Sequence, residues 1–340
     1  MSSGPRLLIR LGSLGDVVLA TAAAHAARAR WGDRCLDVLV KAEWAPVWER
    51  HPAVREVLPW TDRGLPGVLR MASRLRAAGY LETFDLQASP RTRGLALAAG
   101  LRRVHRPVRH ALRRRTVVLL KRGGPPEGFS VEQSFVNLVD RDSSARPGVD
   151  PGPAARERAR SLLTGAGRVA LVPGARHRTK RWPLDRYVAV GRQLAVRGRV
   201  PVCFGPDEQP LLTAWKEAWP ETGSWIAVRE PLPVVAAVFE RMDAVLTNDT
   251  GLMHLAGAVG TPVVAFFGPT IRSFGFAPRG ERDRVLEVEG LFCRPCSRHG
   301  GSRCPQGHFR CMLDTEPARA LAALDAVVAP GSRREPAPTS

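Results

Sequence analysis

The sequence predicts an α/β protein built from two Rossmann-like domains in tandem. Short apolar runs that read as buried strands alternate with amphipathic helical stretches along almost the whole chain. The alternation is interrupted at 141–153, a stretch rich in Pro, Gly and Ser, and then restarts. Polar, glycine-containing turns follow several of the runs, and open parallel sheets carry their ligand sites at such strand ends. The expected division is a domain over 1–150, a second over 151–330 and a disordered tail over 331–340.

The elements follow in order. Arg6 to Leu11 reads as a buried first strand, Gly12-Ser13-Leu14-Gly15 as a turn, and Asp16 as the opening of a helix carrying Val17, Val18, Ala20, Ala24 and Ala27. Only Gly12 and Gly15 are present, so the G-x-G-x-x-G dinucleotide fingerprint is absent and an NAD enzyme is disfavoured. Strands are expected at 36–40, 54–59, 84–87 and 116–120, and helices at 44–49, 65–78, 89–100 and 131–139. Asp140 and Asp142 form a D-x-D, but it falls in the linker and reads as surface charge. In the second half, strands are expected at 168–172, 200–204, 225–228, 244–246, 263–267 and 285–288. Helices are expected at 184–195, after 205–208, at 232–241, after Gly251 and at 316–328.

Composition narrows the class. An apolar share of 44% supports two cores, with only 6% aromatic residues. No apolar run reaches the roughly 18 residues of a membrane span, and the first residues lack the apolar core of a signal peptide, so a cytosolic protein is expected. The net charge is +19, and residues 91 to 122 hold eleven Arg or Lys with no Asp or Glu. Such a segment suits nucleic acid, an anionic membrane surface or an acidic substrate, or is simply a solvated face. No helix-turn-helix or RNA-binding aromatic motif supports nucleic acid.

Polar residues collect at the predicted strand ends. Pro173 to Lys180 and Asn248-Asp249-Thr250-Gly251 combine cations, glycines and a helix start, which suits a diphosphate. Lys180 can neutralise it, Thr179 and Thr250 can add hydroxyls, and Gly251 allows close approach to the backbone. His254 lies one turn along the same helix. Glu208, after its own strand, can accept from ribose hydroxyls, and Phe267-Gly268-Pro269-Thr270 is a further strand-end turn. Across the cleft expected between the halves, Asp16 can serve as a general base on an acceptor hydroxyl. The competing reading makes Asp249 or Thr250, and likewise Asp16, no more than helix N-caps. Cys293, Cys296, Cys304 and Cys311, interleaved with His299 and His308, leave structural zinc and reduced thiols both open. Cys35 and Cys203 read as buried strand residues.

The run Leu8 to Leu19, the loop Pro173-Gly174-Ala175 to Lys180-Arg181-Trp182-Pro183, the stretch Asn248 to Ala256 and the turn Phe267 to Thr270 together resemble glycosyltransferase family 9, the ADP-heptose:lipopolysaccharide heptosyltransferases. The resemblance spans residue 6 to about 328. It implies a GT-B fold, with the acceptor on the first domain and the nucleotide sugar on the second. It also implies an inverting transfer that uses no metal and no other cofactor. Matched by residue, Asp16 is the base, Lys180 holds the donor phosphates, and Thr250 with Gly251 binds diphosphate. Asp249 contacts the sugar and His254 supports it. Arg176, His177 and Arg178 stand where some members carry an earlier Ser or Thr. An acceptor of acidic sugars on phosphorylated lipid gives the basic segment a role, so Ser13, Arg113, Arg114 and Arg115 are assigned to the acceptor. The expected protein is a monomer, peripheral on the inner face of the cytoplasmic membrane, with no nucleic-acid partner. A family member with another donor or acceptor is the alternative.

Overall fold

Parallel strands buried on both faces need uninterrupted apolar runs, and this chain supplies them: Leu7, Leu8 and Ile9, and again Ala244, Val245 and Leu246, are fully buried. The computed structural model describes residues 4–61, 64–108, 110–122, 124–163, 165–205, 209–220, 225–227 and 230–328. The first elements are β1 (Arg6–Ile9), α1 (Leu14–Trp31), β2 (Leu36–Lys41), β3 (Val54–Trp60), α2 (Gly64–Ala78), β4 (Glu82–Asp85), α3 (Pro90–Ala98), β5 (Val104–His105), α4 (Ala111–Leu120) and α5 (Val131–Val139). There follow α6 (Pro153–Leu162), β6 (Arg168–Val172), α7 (Leu184–Val196), β7 (Val200–Gly205), α8 (Gln209–Ala218), β8 (Trp225–Ala227) and α9 (Leu232–Glu240). Then come β9 (Ala244–Asn248), α10 (Gly251–Ala258), β10 (Val263–Phe266), β11 (Arg284–Leu286), α11 (Arg310–Leu313) and α12 (Pro317–Val327).

The strands form two sheets, β3-β2-β1-β4-β5 and β11-β10-β9-β6-β7-β8, with parallel pairing throughout. Both are doubly wound orders. Each reverses direction once, between β1 and β4 in the first sheet and between β6 and β9 in the second, and such switch points are where ligands bind. The first core gathers Leu7, Ile9, Leu39, Leu58 and Leu95. The second is richer in aromatics, with Trp182 stacked on Phe266 at 4.3 Å and Tyr187 edge-on to both.

The chain divides into two compact units, Met1–Arg109 with Ser130–Asp150, and His110–Phe129 with Pro151–Ser340. The basic segment is therefore split, and its helix α4 packs within the second unit.

Three local expectations need correction. Residues 116–120 are helical, not a strand: they continue the good helix formers Ala111 to Arg115, and only Val117 is buried, so no strand-like alternation exists. β5 and α6 were not foreseen, β5 because it has only two residues and α6 because Arg and Glu thin out its apolar face. Cys35 is half-buried and precedes β2; the side chain of Cys203, together with Glu208 and the tail, lies outside the described residues. Among the described residues no helix is long and apolar enough to cross a membrane.

Candidate active site

At the first switch point the chain beyond β1 is tied to the chain beyond β4. Gln87 N donates to Ile9 O and Leu11 N to Gln87 Oε1, each at 3.2 Å, while Arg10 Nη1 donates to Leu86 O at 2.7 Å. The other end of the Arg10 guanidinium lies 2.7 Å from Asp16 Oδ2. The N-cap of α1 is Ser13, and Asp16 is the third residue of the helix. Ser13 N and Ser13 Oγ donate to Asp16 Oδ2 at 3.3 and 3.1 Å, the return half of a capping box. Three donors thus fix one carboxylate oxygen, yet the side chain keeps 20% exposure. A carboxylate that is oriented but wet can take a proton from a bound hydroxyl. Gly12 makes the turn possible: its φ is +148°, and a Cβ there would stand 3.0 Å from Trp44 Nε1.

The second switch point brings distant residues together. β9 ends at Asn248, whose side chain is fully buried and spans to the loop after β6: Nδ2 donates to Pro173 O at 2.7 Å, and Oδ1 accepts from Trp182 N at 3.0 Å. The loop so fixed presents Lys180, whose Nζ is 2.6 Å from Asp249 Oδ2. Thr270, in the turn after β10, donates to the same Oδ2 at 2.8 Å. Thr250 is the N-cap of α10, but its side chain makes no capping bond, and its buried Oγ1 has no hydrogen-bond partner. The start of α10 therefore offers N–H groups and a hydroxyl with no side-chain acceptor, beside a lysine. That is a site for an anion. Burial, then Lys180 and Arg176, hold His177 below the usual histidine range, so its ring is neutral near pH 7. His254 lies half-buried in the first turn of α10.

The cysteine-rich segment braces this site. Arg294, its side chain only 7% exposed, donates from Nε to Gly268 O at 2.6 Å and from Nη2 to Phe267 O and Thr270 O at 2.9 and 3.0 Å, and pairs with Glu287. Gly301 holds the other loop: its N–H donates to Thr179 Oγ1 at 2.8 Å, and that hydroxyl donates to Gly301 O at 3.0 Å. Gly300, with φ +93°, passes so close that a Cβ would meet His177 Cβ at 2.8 Å. The cysteines are free thiols, with Cys293 Sγ 3.7 Å from His308 Nε2. Burial, with the neighbouring thiols, raises Cys296 and pushes Cys311 up to about 12. Among the described residues no group of three or more His, Cys, Asp or Glu that could hold a metal ion is found.

The structure thus groups Lys180, Asp249, Thr250, Gly251 and His254 at one switch point and Ser13 with Asp16 at the other. Thr179 is buried beside Lys180, and its hydroxyl both donates to Gly301 O and accepts from Gly301 N, which ties the two loops together. Arg113 and Arg115 are exposed on α4. Arg114 is half-buried over the rings of Phe129 and Phe276, at 5.6 and 5.1 Å. The sequence reading missed the functions of Arg10, Thr270 and Arg294. Thr270 was visible as part of a strand-end turn; nothing in the sequence marks Arg294, one arginine among many.

A family model, glycosyltransferase family 9 (heptosyltransferase), matches residues 71–303. Lipopolysaccharide heptosyltransferase 2 of Escherichia coli (strain K12) is 25% identical, over 93% of this chain and 96% of that protein. The solved E. coli ADP-heptose LPS heptosyltransferase II superposes with a TM-score of 0.74 at 22% identity, covering 95% of this chain and 98% of that one. A crystal structure of a family 9 glycosyl transferase from Veillonella parvula DSM 2008 gives 0.78 at 19% identity, with 96% and 97% covered. The fold is GT-B, two Rossmann-like domains each with a parallel sheet.

Proposed function

The chain belongs to glycosyltransferase family 9 (heptosyltransferase), and on that footing we propose that it transfers heptose from ADP-heptose to an acidic inner-core acceptor of lipopolysaccharide. The observation that carries the donor half is the Lys180–Asp249 pair beside the uncapped start of α10, with the Thr250 hydroxyl unpartnered. Lys180 and the first N–H groups of α10 take the diphosphate, and the Thr250 hydroxyl adds a donor. Asp249 faces the sugar, and His254 supports it from the first turn of α10. As the bond from the anomeric carbon to the phosphate oxygen breaks, negative charge grows on the leaving ADP, where these fixed donors stabilise it. Asp16 accepts the proton of the attacking acceptor hydroxyl, and the anomeric centre inverts.

In this reading the positive charge at the leaving group comes from Lys180 and backbone dipoles, so transfer persists in the presence of a chelator. The cysteine segment acts as a mechanical brace of reduced thiols, and stoichiometric zinc or iron in the purified protein would overturn that. Ser13, Arg113 and Arg115 serve the acceptor, whose carboxylates and phosphates suit guanidinium forks. The enzyme works as a monomer on the cytoplasmic face of an anionic membrane.

The test is ADP release from ADP-heptose with a Kdo–lipid A acceptor, wild type beside Asp16→Ala. Release by wild type and its loss in the variant support both the transfer and the base. Release undiminished by the substitution reduces Asp16 to its part in the capping box. No release, with a thermal shift by ADP, points to another acceptor; neither release nor shift rejects the donor.

A further inference from the structure

Helix α4 has its polarity reversed. Leu112, Leu119 and Leu120 are 75%, 76% and 67% exposed, while Arg114 is turned inward over two phenylalanine rings. With Thr116, these leucines fall at i, i+4, i+7 and i+8, one face of the helix. Arg113 and Arg115 flank that face on opposite sides, both exposed, and Arg122 follows it. No Asp or Glu occurs from His110 to Pro126.

The helix is nevertheless held firmly from behind. Val117, on its inner face, is buried. Lys121, in the left-handed conformation at its C-cap, donates from Nζ to Val118 O at 2.7 Å, to Cys293 O at 3.1 Å and to Pro295 O at 2.6 Å. An apolar stripe edged only by cations, on a helix anchored to a folded unit, has the character of an interfacial helix.

We propose that α4 docks this protein on an anionic bilayer, with Leu112, Leu119 and Leu120 entering the boundary between headgroups and acyl chains and Arg113, Arg115 and Arg122 pairing with headgroup phosphates. The charge decides the occupant. A second copy of the chain would bring +19 against +19, whereas the phosphates of an anionic leaflet complement the arginines and its acyl chains accept the leucines. The inference deepens the membrane part of the functional reading by naming the element that makes contact, and it adds an apolar component that charge alone does not give.

The experiment is vesicle flotation of the full chain without donor or acceptor, on phosphatidylcholine alone and on phosphatidylcholine mixed with phosphatidylglycerol. Wild type is expected to float with the anionic vesicles and at least about tenfold less with the neutral ones. Leu112→Ser/Leu119→Ser/Leu120→Ser is expected to lose binding by about tenfold or more, keep its melting temperature, and keep its ADP release with a delipidated acceptor. Wild type that stays with the soluble fraction, or a leucine variant that floats like wild type, overturns the proposal. So does a wild-type dimer that the leucine substitutions convert to monomer, since the face would then be a protein contact. Vesicle binding without any ADP release would reject the transfer reading and leave this one standing; release without vesicle binding would do the reverse.

Discussion

The two switch points solve the same problem with different material. At the first, the carboxylate of Asp16 is fixed by neighbours within six residues, Ser13 and Arg10, through a capping box and an ion pair. At the second, the carboxylate of Asp249 is fixed by Lys180 and Thr270, 69 and 21 residues away along the chain, and those in turn by Asn248, Arg294 and Gly301. The first is a local motif that needs one turn to be right. The second exists only once three strand-end loops have met. Under the proposed function, a base on a helix start can be placed by local rules, whereas a pocket for a diphosphate and a sugar needs several directions of approach, which loops from several strands would supply.

The strongest way to separate the two is Asp16→Asn. If Asp16 is the base, kcat falls by about 10²–10⁴-fold with donor KM little changed, measured by ADP release. A loss in stability without that fall in kcat would make the first switch point purely structural. Next is Lys180→Met, which leaves the buried Asp249 carboxylate without its cation. The expected cost is about 3–5 kcal/mol in urea unfolding, together with a raised donor KM. Unchanged stability would mean that solvent reaches Asp249 and the brace is loose.

Acid distinguishes the units in another way. The N-terminal unit holds a histidine pair, buried His51 and half-buried His25, with ring centroids 4.4 Å apart. Burial, then the neighbouring His25, lowers His51 to about 3, and burial followed by Arg28 lowers His25. The unfolded chain therefore binds protons that the folded unit refuses. Stability conferred by the neutral rings is complete above the usual histidine value near 6.5 and declines as pH falls towards 3, by about 1.4 kcal/mol per pH unit for His51. His51→Gln should flatten that slope in denaturant titrations run from pH 7 to about 4; an unchanged slope would show that other groups carry it. The smallest effect is expected from Ser13→Ala, about 1 kcal/mol of stability, with a fall in kcat much smaller than that of Asp16→Asn. A fall as deep as the aspartate's would mean that the capping box itself sets the geometry of the base.

The same contrast explains what could be read in advance. The strands were legible because parallel strands covered on both faces must be continuously apolar, as Leu7 to Ile9 and Ala244 to Leu246 are. Asp16, Lys180 and Asp249 could be singled out because each lies in or just beyond the turn that follows such a run. The segment Thr116 to Leu120 misled because its apolar, partly β-branched residues suggested burial, whereas most of them face solvent. The partner of Thr179, Gly301, could not be read because it lies 122 residues away and nothing nearby announces it. Arg294 was invisible for the same reason: its value comes from four backbone carbonyls gathered by the fold, Phe267, Gly268, Thr270 and Val288.

The hook of Lys121 onto Cys293 and Pro295 also has a meaning in time. Helix α4 is synthesised 172 residues before the first of those carbonyls. At the usual 5–20 residues per second of translation, roughly ten seconds or more separate the helix from its anchor. During that interval the leucine stripe hangs on a nascent chain whose own second sheet is still being made. A surface ready to meet a bilayer, or a chaperone, is thus on offer before the enzyme it belongs to is finished.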